Sequence, residues 1–112
     1  MNIRYDIHEI KPVVLSEHNG RQNVLKEVMF TVIATDEDSG LSSGIVRTWH
    51  LDIDREYTDE DPFVPFSSFT ESMIDTMLRD SLIKNGWSRL LEKRIQDMIN
   101  STTPTTFAFQ NQ

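Results

Sequence analysis

The sequence contains no cysteine, which excludes disulfides, thiolate zinc sites and cysteine nucleophiles. Glycine is scarce, four in 112 residues, and none stands in a phosphate-cradling or dinucleotide-binding pattern. No apolar run approaches the roughly 18 residues a bilayer-spanning helix needs. Basic residues are outnumbered, 11 against 18 acidic, for a net charge of −7. That balance repels phosphate backbones and anionic lipid, so neither nucleic acid nor a membrane is expected as a partner. Apolar content is also low, 38% against roughly 45–50% in typical domains. The implied core is thin, of the kind a partner's surface completes.

What remains fits one domain. The opening Met1-Asn2-Ile3-Arg4-Tyr5-Asp6 carries charge where a secretory signal needs an apolar stretch. The expectation is a protein of the cytoplasm, or of a particle assembled there. The first half reads as strands. Ile3, Tyr5 and Ile7 alternate with Arg4, Asp6 and His8 over Asn2–Ile10, the period of a half-buried strand. Val13–Leu15 is a short apolar run that either ends this strand or starts an edge segment. Asn19-Gly20 is a strong hairpin signal. Val24–Thr35 carries apolar residues on both faces, Val28, Phe30, Val32 and Ala34 on one and Met29 and Ile33 on the other, which predicts a central strand. Residues 36–44 form a turn of Asp, Ser and Gly. Ile45–Ile53 alternates again, with Ile45, Trp49, Leu51 and Ile53 inward.

The second half reads as helices. Ser68 with Glu71 three residues on fits a capping box, with Thr70 a competing N-cap. Met73, Ile74, Met77, Leu78 and Leu82 recur at helical spacing, and Asn85-Gly86 supplies a stop. A second helix from about Trp87 to Asn100 has the stripe Trp87, Leu90, Leu91, Ile95, Met98 and Ile99, with Glu92 and Gln96 spaced to sit together on the polar face.

Candidate chemistry is sparse. Asp52, Asp54, Glu56, Asp59, Glu60 and Asp61 form the densest acidic cluster, but the EF-hand spacing fails. Counted from Asp52, the glycine position holds Tyr57 and the final glutamate position holds Phe63. A solvated acidic loop is the expected state. His8 and His50 fall on polar strand faces and would lie close if those strands paired, yet no third ligand is nominated by spacing. Ser39-Gly40 and Ser43-Gly44 lack the surroundings of a serine nucleophile and read as turn residues. The expectation is therefore no enzyme, no cofactor and no metal.

Aromatics give the better candidates. Phe63, Phe66 and Phe69 cluster around Pro65, either pinning the first helix to the sheet or forming a patch for a neighbour. Phe107 and Phe109 alternate in the Thr- and Pro-rich final segment, in a pattern that suits strand addition to a sheet edge, in this chain or another.

Phe63-Val64-Pro65-Phe66 followed by Phe69-Thr70-Glu71, after a β-rich half in which Val32-Ile33-Ala34-Thr35-Asp36 enters an acidic turn, resembles a family of small virion-associated proteins of unknown activity. These are encoded by tailed phages, cyanophages especially. Met77 departs from the pattern, since such proteins often carry tryptophan there. The resemblance implies a phage structural protein and transfers no catalytic residue.

The fold expected is α+β: a three- to four-stranded antiparallel sheet with two C-terminal helices packed on one face. Residues 1–54 form the β-meander, 55–69 an acidic and aromatic connector, 70–100 the helices and 101–112 a tail. The core is expected from the helix stripes and the odd-numbered strand faces. The function implied is a bacteriophage virion structural protein of the tail, baseplate or neck, present in several copies in a symmetric assembly. It would contact other virion proteins through Phe63, Pro65, Phe66, Phe107 and Phe109. The alternative is a small acidic phage protein that binds and inhibits a host enzyme, as a DNA mimic would.

Overall fold

A computed structural model of the chain describes residues 1–102. Three strands, β1 (Ile3–His18), β2 (Arg21–Asp36) and β3 (Ser42–His50), form one antiparallel sheet in the order β1-β2-β3. Two helices follow, α1 (Glu71–Lys84) and α2 (Trp87–Thr102). This is the α+β arrangement the periodicities predict, with three strands and no fourth among the described residues.

The β1–β2 hairpin turns on Asn19-Gly20, both at positive φ (53° and 78°), as a two-residue turn matching strand twist requires. β1 runs unbroken through Val13–Leu15, so that run belongs to the first strand and does not start a separate segment. Its pairing slips between His8 and Lys11, where Glu9 takes φ 53°, so an extra residue is absorbed as a bulge. A second shift between Val13 and Val14 places the extra residue on β2. β3 ends at His50, short of the expected Ile53, although Leu51 N–H still donates to Lys26 O at 3.0 Å.

The register corrects the expected core face. Ile3, Tyr5 and Ile7 lie opposite Asp36, Ala34 and Val32, so odd residues of β1 share a face with even residues of β2. Val28, Phe30, Val32 and Ala34 are fully buried, while Met29 on the other face is 38% exposed. Ile45 of β3, Ile74, Leu78 and Leu82 of α1, and Leu91 and Ile95 of α2 complete one continuous core with them. The helices cover that face and leave the opposite one open.

Local chemistry sets the helix ends. Phe66–Ser68 forms a 3₁₀ turn, which takes Ser68 out of contention as a cap. Thr70 is the N-cap, and its hydroxyl accepts from Met73 N–H at 3.2 Å. Gly86, at φ 73°, lies just past the end of α1, where its N–H donates to Ile83 O, and its own carbonyl accepts from Leu90 N–H in the first turn of α2. α2 runs on to Thr102, two residues beyond the expected end.

Two polar groups tie the layers together. Tyr5 Oη donates to Glu92 Oε2 at 2.6 Å, joining β1 to α2; burial and this bond raise the tyrosine pKa well above its ordinary value. Gln96, one turn after Glu92 on α2, donates to Asn100 Oδ1 at 3.1 Å. Asp36 is 1% exposed, and its carboxylate accepts from Asn2 N–H at 3.0 Å and from Ser39 Oγ at 2.7 Å. Those donors, the Asn2 amide first, hold its pKa below the usual carboxylate value.

Candidate protein-interaction site

The connector after β3 turns back over the end of the hairpin and is built from paired charges. Asp54 Oδ1 lies 2.6 Å from His18 Nε2 and accepts from Asn19 Nδ2 at 3.2 Å, so the connector grips the β1–β2 turn. The bond to His18 lowers the Asp54 pKa. Arg55 pairs with Asp61, whose pKa falls in turn. The Arg55 and Arg21 guanidinium carbons stand 4.4 and 4.6 Å from the Tyr57 ring centre, and Phe63 meets the same ring edge-on at 5.4 Å. Residues from the hairpin and the connector thus form one stack.

Several carboxylates of the acidic loop have partners of their own. Asp54 and Asp61 are engaged with His18, Asn19 and Arg55, and Asp52 Oδ1 accepts from the Asp54 N–H at 3.1 Å. Among the described residues no group of three acidic, histidine or cysteine side chains converges as a metal site would need. The two histidines are also kept apart. β2 lies between β1 and β3, His8 is opposite Thr31, and His50 is opposite Glu27, with Nδ1 3.7 Å from that carboxylate.

The phenylalanine cluster divides. Phe63 belongs to the Tyr57 stack. Pro65 precedes the 3₁₀ turn at φ −69°, and Phe66 and Phe69 lie together with ring centres 5.7 Å apart. Both are half-buried and pack against the core cluster to which α1 and the sheet contribute. They also line an open groove of about 540 Å³. Ile10 and Pro12 of β1 form its other wall, Ile74 its apolar floor, and Thr70, Glu71 and Asp75 its polar rim at the start of α1. Ile10 is 40% exposed although it stands among apolar neighbours.

Ile10 and Pro12 carried no signal in the strand pattern, because the bulge at Glu9 shifts the alternation by one. Once it is allowed for, Pro12 falls opposite buried Val28 and so on the helix side of the sheet. Phe107 and Phe109 lie outside the described residues. No helix is long and apolar enough to cross a membrane among the described residues. No protein-family model, no curated protein and no solved structure matches the chain.

Proposed function

We propose that the chain is a structural component of a tailed-phage particle, in the tail, baseplate or neck, and that it acts by binding neighbouring virion proteins. The observation that carries a binding role is the groove between β1 and α1. Its aromatic and aliphatic walls are set on rigid elements, it is open to solvent, and its size suits a few side chains of a partner. The Pro65 segment, through which the chain resembles phage proteins, supplies one of those walls. Pro65 fixes the approach, Phe66 and Phe69 supply contact area, and Glu71 and Asp75 favour a partner segment with a basic residue.

Quantitative mass spectrometry of purified particles tests this reading. A reproducible copy number compatible with a symmetric ring supports it. Absence from clean particles, with abundance in infected cells, discards it in favour of a host-directed inhibitor. Phe66→Ala is expected to lower incorporation into particles. Phe107→Ala with Phe109→Ala is expected to do the same while leaving the domain folded, and unchanged incorporation of that pair would remove the tail from the set of contacts.

A further inference from the structure

The two edges of the sheet are treated differently. β1 carries the devices that keep an edge from pairing. It has Pro12 and Lys11 in its middle, a bulge at Glu9, and a cover over the Tyr5 carbonyl, to which Arg79 Nη1 donates at 2.9 Å. β3 has no proline, no lysine and no bulge, and it pairs with β2 in unbroken register from Ser42 to His50. Among the described residues, the one side-chain bond on its outer side comes from within the strand, where Arg47 Nη1 donates to Val46 O at 3.0 Å.

The phase of the ladder shows what this edge offers. Leu51 N–H donates to β2, so by alternation the amides of Trp49, Arg47 and Ile45 face β2 as well. Those of Thr48, Val46 and Gly44 then face outward. Val46 is 57% exposed.

We propose that the outer edge of β3 pairs with the same edge of a second copy, antiparallel, about a twofold axis at Val46, joining two three-stranded sheets into one of six. Charge selects this occupant. The chain carries a net charge of −7 and 18 acidic residues, so most of its surface repels a copy, yet residues 39–51 hold no Asp or Glu. In the register centred on Val46, Gly44 faces Thr48, Ser42 faces His50, and Arg47 faces Ile45, so no like charges meet and the two Val46 side chains cover each other. A twofold contact of this kind needs one self-complementary patch, and β3 supplies it because its single fixed charge, Arg47, faces the uncharged Ile45 in this register. The inference does not depend on a place in a phage particle.

Sedimentation equilibrium of the full chain across roughly 1–100 µM tests it. The expected mass rises with concentration from 13.0 kDa toward twice that value. Val46→Lys sets two ammonium groups against each other at the axis and is expected to weaken the dimer by about tenfold or more. Thr48→Pro removes an N–H that β2 does not use and is expected to weaken it as well, with circular dichroism checking that each variant is folded. Val13→Lys, on the β1 edge, is expected to leave the dimer intact. A chain that stays at 13.0 kDa throughout overturns the proposal. So does a dimer that survives both β3 substitutions, or one that Val13→Lys and Val46→Lys weaken alike.

Discussion

Replacing Tyr5 by phenylalanine removes one oxygen and leaves the ring, so it isolates the hydrogen bond that joins β1 to α2. The bond is short, 2.6 Å, and its acceptor is the Glu92 carboxylate. Charge-assisted bonds of this type contribute about 1.5–3 kcal/mol, because removing the donor leaves a charged acceptor partly desolvated and unpaired. Both residues are half-buried, so water screens part of the effect and the lower end applies, about 1.5 kcal/mol. For a domain of this length that corresponds to a fall in Tm of about 6 °C. Urea denaturation of Tyr5→Phe, Glu92→Leu and the double variant forms a cycle that reads the coupling directly. The double variant is expected to lose less than the sum of the single losses, since it strands no group. Additive losses, or a loss below about 0.5 kcal/mol for Tyr5→Phe, would refute the assignment of this bond as a tie between the layers.

Two further outcomes follow from local chemistry. Thr70→Ala removes the acceptor for Met73 N–H and is expected to cost about 1 kcal/mol by urea denaturation, whereas Ser68→Ala should cost much less because Ser68 caps nothing. Asp36, Asp54 and Asp61 all have folded pKa values below the ordinary 3.8. Their contribution is therefore complete above about pH 4 and is lost as the pH falls through the lowered values. Urea midpoints between pH 6 and pH 2.5 should drop at the acid end, and Asp36→Asn should flatten that drop.

The parts of this fold that were legible in the sequence are those set by near neighbours. Thr70 and Gly86 mark helix ends through bonds that close within four residues, and Asn19-Gly20 dictates a turn by its own backbone preferences. The helix stripes are legible for the same reason, since Ile74, Leu78, Leu82, Leu91 and Ile95 repeat on one side of a rod, although Met73, also in the expected stripe, is exposed. Register was harder. The odd-numbered face is correct for β1 ahead of its bulge and for Ile45 but wrong for β2 and for β1 beyond the bulge, where Pro12 and Val14 turn to the core side, because alternation within a strand says nothing about which neighbour lies across from it. Glu9 hid the continuity of β1, because a non-glycine residue at φ 53° is uncommon and leaves no compositional mark. In the candidate site, Phe66 and Phe69 were visible as an aromatic cluster. The opposite wall, Ile10 and Pro12, was not, because it comes from a strand more than 50 residues earlier in the chain. The acidic connector is exposed, as expected, but its tie to His18, Asn19 and Arg21 carried no signal because those residues lie far back in the sequence.

The grip of that connector on the hairpin changes what kind of object the hairpin is. At 16 residues each, β1 and β2 are far longer than the roughly 5–6 residues of an average strand, and β3 accompanies β2 only from Glu27 to Thr35. The remaining turn-ward end is a two-stranded ribbon, which in isolation twists strongly and frays. With Asp54 bound to His18 and Asn19, and Tyr57 held between Arg21 and Arg55, the chain instead forms a closed circuit. It leaves the sheet at His50, crosses the hairpin turn, and returns to the helices at Phe66. A load applied at the turn is shared between the ribbon and this strap, so the hairpin behaves as a braced cantilever: stiff under bending, and freed from the strap when the hydrogen bonds to Asp54 and the aromatic stack give way together.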